Sequence, residues 1–124
     1  MNRSNEPGQP LPVVNSKIAS VDLDTPTIAL AIGAHPDDIE FGCGGTLAKW
    51  AQAGCLVHHL VLTDGSKGTW NADADITQLI AQREIEQREA ARRLGAKGEV
   101  VFMHQVDGDL TDTRELRGEI ARQI

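Results

Sequence analysis

The chain has 124 residues, 40% of them hydrophobic and 24% charged, which is the composition of ordinary soluble globular proteins rather than of disordered or membrane chains. Its formal net charge of −6, with no cluster of Lys or Arg, argues against a nucleic-acid or anionic-membrane partner, because phosphate binding needs concentrated positive charge. What remains is one small domain, able to bury roughly two thirds of its unfolded surface, with a small-molecule substrate.

Residues 1–24 carry Pro7, Pro10 and Pro12 among polar side chains and read as a flexible extension, with no basic segment leading into an apolar export core. Cys43 and Cys55 are too few for a disulfide framework; without an export signal they are expected to stay reduced, and the expected location is cytoplasmic. No run reaches the roughly 18 consecutive apolar residues of a membrane span. Apolar residues first become dense over residues 27–34, a continuous run that predicts a strand buried on both faces. A turn-rich stretch follows. Leu47, Trp50 and Ala51 then predict a helix over residues 46–53, closed by Gly54. LVHHLVLT predicts a second strand at Leu56–Thr63, and residues 76–94 a long helix ended by Gly95. Residues 99–104 form a third strand, and Asp112 or Thr113 caps a third helix. Strands alternating with helices across short connections predict an α/β, Rossmann-like fold: a three-layer α/β/α arrangement on a parallel sheet, cut short at the C-terminus. Ligands of such sheets bind outside the carboxyl ends of the strands, so chemistry is expected after Ala34, Thr63 and His104.

The first of those loops reads Ala34-His35-Pro36-Asp37-Asp38-Ile39-Glu40. Pro36 fixes its own φ, so a tight turn can aim His35 and Asp38 into one volume, and imidazole nitrogen and carboxylate oxygen are both good zinc donors. Asp37, between them, is then free to act as a base toward a metal-activated water, as a glutamate beside a histidine ligand does in metalloproteases. The alternative is a plain turn in which Asp37 or Asp38 caps the next helix.

AHPDDIEFGCGGTLAKW resembles the first signature of the PIG-L/LmbE-like N-deacetylases. The resemblance continues through LTDGSKG, through Arg83-Glu84-Ile85-Glu86 to Leu94-Gly95, and weakly through Asp107-Gly108-Asp109-Leu110, covering residues 27–124. It implies that residues 25–124 are the front portion of a deacetylase domain that removes an acetyl group from N-acetylglucosamine conjugates by amide hydrolysis. It also implies that zinc is held by His35 and Asp38, that Asp37 is the general base and that Arg83 contacts substrate. Full members carry a later His-x-x-His segment whose second histidine completes the metal site, and no histidine follows His104 here. The expectation is therefore a chain that binds zinc weakly, turns over poorly and associates through its open sheet edge, a possible homo-oligomer. A truncated metal-binding domain without activity is the non-enzymatic alternative.

The remaining residues divide between chemistry and packing. Arg83 falls in the middle of the stripe made by Ile76, Leu79, Ile80, Ala90 and Leu94 at about 100° per residue, so it either pairs internally, with Glu86 or Asp37, or reaches into the site. Gly42-Cys43-Gly44-Gly45, with Asp64 about twenty residues on, suggests a dinucleotide-binding turn. Leu47 replaces the third glycine of that fingerprint, however, and a polar loop is expected between strand and glycines. Cys43 reads as a small buried hydrophobe; His58 and His59 are consecutive in a strand and face opposite sides. Asp107 lies in the third loop, where a sugar-hydroxyl contact and a turn role stand level.

Overall fold

A computed structural model describes residues 23–124. The extension expected over residues 1–24 lies, but for its last two residues, outside the described residues. Three strands and three helices alternate: β1 (Ile28–Gly33), α1 (Asp38–Gln52), β2 (Leu56–Thr63), α2 (Ile76–Leu94), β3 (Val100–Gln105) and α3 (Arg114–Ala121). The strands form one parallel sheet in the order β1-β2-β3, which makes this an α/β fold. No helix among the described residues is long and apolar enough to cross a membrane.

The predicted β2 and α2 coincide with the observed elements, because each pattern has clear punctuation. Asp75 opens α2 by accepting from the Gln78 N–H at 3.1 Å, and Gly95 closes it at φ 80°. Thr113, not Asp112, caps α3, accepting from the Leu116 N–H at 3.1 Å. Two expectations are corrected. α1 starts at Asp38 rather than at residue 46, so Gly42, Cys43, Gly44 and Gly45 lie inside a helix, with a break at Cys43 (φ −142°, ψ 16°). Tertiary context overrides the low helix propensity of glycine here, for Gly44 is buried on the packed face of the helix. Only four residues therefore separate β1 from α1, and the glycines are not in the turn where a dinucleotide fingerprint needs them. The second correction concerns β1, whose outer face is not buried: Ile28 is 62% and Ile32 45% exposed, because that face points away from the core formed with α1 and α2.

The core lies between the sheet and the pair α1 and α2. Ala31, Val57 and Val61 of the sheet meet Ile39 and Leu47 of α1, with Trp50, Ala96 and Phe102 packed around them. On the other face, residues 123 and 124, following α3, help to line a cavity of about 250 Å³ with Ile28, Leu30, Leu60 and Val101. The register runs from Ile28 opposite Leu56 to Gly33 opposite Val61, and from His59 opposite Val100 to Val61 opposite Phe102. It then shifts, so that Thr63 pairs with Gln105 and Met103 and His104 together stand against Leu62. His104, at φ 53°, takes up the extra residue. Since side chains alternate with a period of two, this bulge turns Gln105, the last residue of the strand, to the face it would otherwise avoid.

Candidate active site

The carboxyl ends of the three strands finish side by side. The Ala34 carbonyl accepts from both the backbone N–H and the hydroxyl of Thr63, each at 2.8 Å, and the Asp64 N–H donates to the Gln105 carbonyl at 2.9 Å. The loops after β1, β2 and β3 are thus tied together at their roots, which brings His35, Asp64 and Asp107 into one neighbourhood.

In the β1 loop, the Asp38 carboxylate turns back on His35, accepting from its backbone N–H at 2.9 Å and standing 3.3 Å from Nδ1. The opposite ring nitrogen, Nε2, is 3.0 Å from Asp107 Oδ1. Asp107 is 8% exposed, and its second oxygen accepts from the Lys67 N–H at 3.1 Å. Its own N–H donates to Asp64 Oδ1, which also accepts from the Ser66 N–H. Burial raises the Asp64 pKa, but these N–H donors outweigh it and hold the carboxyl below its ordinary value. Burial lowers the His35 pKa, yet the flanking Asp38 and Asp107 overcome this, and the imidazole ends above 6.5. Asp107 therefore faces His35 from a buried position rather than open solvent.

Asp37 occupies the residue before α1 but does not cap it with its side chain. It sits at φ 91°, in the left-handed region that costs a non-glycine residue on the order of 1–2 kcal/mol and that Asp tolerates better than most. Such a conformation persists only when surrounding groups impose it. Two side chains of α2 do so. Arg83 Nη2 donates to Asp37 Oδ2 and to the Pro36 carbonyl, both at 2.9 Å, while Gln87 Oε1 accepts from the Asp37 N–H at 2.7 Å. Arg83 thus takes the first of the two alternatives, internal pairing, with Asp37 of the strand-end loop as its partner. A weaker contact to Glu86 at 3.8 Å adds to it. Gly65, at φ 69°, lets the β2 loop pass close by, for a Cβ there would meet Pro36 at 3.2 Å and Arg83 Nε at 3.7 Å. A cavity of about 200 Å³ opens beside Asp37, between α1 and α2, lined by Pro36, Glu40, Phe41, Arg83 and Glu86 among others. A larger one of about 450 Å³, lined by Arg88, Arg92 and Val100 among others, carries none of these site groups.

The structure brings together His35, Asp37, Asp38, Arg83 and Asp107. It leaves His104 outside: exposed, it pairs with Glu84 at 2.6 Å. His58 and His59 do face opposite ways, His58 Nδ1 accepting from the Glu99 N–H while His59 is fully buried. Cys43 is exposed, not buried as expected, because it sits at the break in α1. Among the described residues no three His, Cys, Asp or Glu side chains are grouped to hold a metal. Sequence reasoning missed Gln87, whose signal was its place one turn beyond Arg83 on the same stripe.

The PIG-L family model, described as GlcNAc-PI de-N-acetylase, matches residues 30–124. The chain is similar to diacetylchitobiose deacetylase of Thermococcus kodakarensis, 39% identical over 95 residues that make up 77% of this chain and 35% of that protein. It is 43% identical over 54 residues to the 1D-myo-inositol 2-acetamido-2-deoxy-alpha-D-glucopyranoside deacetylase of Kineococcus radiotolerans, over 43% of this chain and 15% of the relative. Among solved structures, N,N'-diacetylchitobiose deacetylase from Pyrococcus horikoshii superposes with a TM-score of 0.75 at 34% identity, over 78% of this chain and 36% of that one. The chain thus spans about a third or less of the length of the relatives it matches.

Proposed function

Because this chain belongs to the GlcNAc-PI de-N-acetylase family, we propose that it carries the site of a metal-dependent hydrolase that removes the acetyl group from an N-acetylglucosamine-type conjugate. Residues 25–124 are read as the part of the family domain that holds this site. The observation that carries the reading is the convergence of His35, Asp37, Asp38 and Arg83 at the carboxyl end of β1, with Asp107 behind them.

His35 and Asp38 are the residues that would hold zinc or another divalent ion. Their Nδ1 and Oδ2 atoms stand 3.3 Å apart, and the donor pair is one that such ions accept. Asp107 on the other ring nitrogen supports this fit, because metal-binding imidazoles are ordinarily oriented by a carboxylate on their second nitrogen. Bound there, the ion supplies Lewis-acid polarisation of the acetyl carbonyl and a lowered pKa for the attacking water. Asp37 takes the water proton, and that proton is the one the departing amine requires when the C–N bond breaks. Arg83 fixes the Asp37 carboxylate, and its guanidinium is the group read as meeting substrate.

Acetate release from N,N'-diacetylchitobiose by a protein that carries this chain extended to the length of its relatives is the direct test, since the 124 residues alone are expected to turn over poorly. It is expected to stop on chelation and return with zinc. Release that survives thorough chelation, or none after zinc is restored, defeats the reading.

A further inference from the structure

Gln87 is 2% exposed on α2, fifty residues from the loop it touches, and every polar atom of its amide has work. Oε1 accepts from the Asp37 N–H at 2.7 Å; Nε2 is 3.4 Å from Glu40 Oε2 and 3.3 Å from His59 Nδ1. An amide can be turned end for end, and only its neighbours say which end is oxygen. Here two neighbours decide the orientation and the third is compatible with it. The Asp37 N–H can only donate, the Glu40 carboxylate can only accept, and His59 can accept at Nδ1 when its proton is on Nε2, a buried atom with no partner among the described residues. The amide orientation is therefore dictated by the Asp37 N–H on one side and the Glu40 carboxylate on the other. Asp37 is held from one helix at both ends, its backbone by Gln87 and its carboxylate by Arg83 one turn earlier.

We propose that Gln87 is a positioning residue: through the Asp37 amide it holds the left-handed turn that aims the Asp37 carboxylate, while Glu40 acts through Gln87 by fixing its amide orientation. The proposal rests on the reading of Asp37 as the base of a deacetylase. It requires that hydrogen-bond polarity at position 87, rather than volume or charge, is what the site needs. Gln87→Met keeps length and removes the acceptor. Gln87→Glu keeps shape and the acceptor for Asp37, but sets a carboxylate against Glu40. Glu40→Gln combined with Gln87→Glu exchanges the two groups: the carboxylate at 87 still accepts from the Asp37 N–H, and the amide at 40 now donates back to it.

The experiment measures kcat and KM for acetate release together with hydrogen exchange of the Asp37 amide, in the zinc-loaded protein and these variants. Gln87→Met is expected to lower kcat more than tenfold with KM within twofold, and to speed exchange at Asp37 more than tenfold while the Val57 and Val61 amides stay protected. Gln87→Glu should fall between Gln87→Met and the parent, and the exchanged pair should recover most of both losses. Unchanged Asp37 exchange in Gln87→Met overturns the proposal whatever the kinetics. An exchanged pair worse than Gln87→Glu alone overturns it as well, and does not depend on Gln87→Met folding. If the parent protein releases no acetate, the deacetylase reading fails and takes the catalytic role of Gln87 with it. The exchange data, which need no substrate, would separate that failure from a failure of the tether.

Discussion

Asp37→Asn separates charge from shape at the centre of the site. Asparagine has nearly the same outline as aspartate and tolerates φ 91° at least as well, so the turn before α1 should survive. Its amide oxygen can still accept from Arg83 Nη2, and its backbone N–H still reaches Gln87. What disappears is one negative charge. The ion pair it formed is between side chains 26% and 45% exposed, so solvent screening limits its loss to about 0.2–1 kcal/mol of stability. Removing a general base, in contrast, costs about 10²- to 10⁴-fold in rate, which at about 1.4 kcal/mol per decade is roughly 3–5 kcal/mol of transition-state stabilisation. The two effects differ enough to be told apart in one set of measurements. Thermal unfolding should shift by no more than a few degrees, zinc content should match the parent, and acetate release should fall at least a hundredfold. His35→Ala, measured alongside, should lose zinc and activity together. Equal loss of zinc in Asp37→Asn, or activity within tenfold of the parent, would refute the assignment of Asp37 as base.

Three further outcomes are expected. Arg83→Ala should reduce kcat/KM more than tenfold, about 1.4 kcal/mol, and a variant that melts early yet is fully active while folded would make Arg83 purely structural. Gly65→Ala should destabilise by on the order of 1–2 kcal/mol through its positive φ and lower activity through the 3.2 Å approach to Pro36; an unchanged melt in urea would contradict the close packing of these loops. Burial holds the His59 imidazole below 6.5, so under that pH the unfolded chain binds more protons than the folded one, and stability should fall on acidification. The contribution is at most about 1.4 kcal/mol per pH unit, and the His59→Leu variant should show a flatter dependence. His35, raised above 6.5 and half exposed, gives stability that is lost as pH rises, but it is present in both proteins and cancels from the difference.

The sequence made β2 and α2 legible because their period and their punctuation agree, with Asp75 opening and Gly95 closing the helix. It also placed His35, Asp37 and Asp38 together in the loop that leaves β1, where the structure has them. The start of α1 was hidden because glycines signal a loop locally, while the burial of Gly44 in a packed helix is a tertiary fact that no local pattern carries. The exposure of Ile28 and Ile32 was hidden for a related reason: a continuous apolar run does not say which of its faces will be covered. Asp107 and Gln87 were the hardest to read. Each acts across a separation, 72 and 50 residues, that only the finished sheet register closes. The bulge at Met103 and His104, which sets the facing of the chain that leads into Asp107, has no signature in an otherwise regular VVFMHQ strand.

The break in α1 makes Cys43 useful at the bench. Its thiol is exposed where the turn bearing Asp38 ends and the packed part of the helix begins, while Cys55 is 5% exposed beneath the core. Burial and the nearby Glu40 push the Cys43 thiol above its ordinary value, so alkylation should be slow at neutral pH and quicken in alkaline buffer. A fluorophore or spin label introduced that way would attach at a single place, without removing any native cysteine. It would stand just past the first turn of α1 and report on changes around that turn.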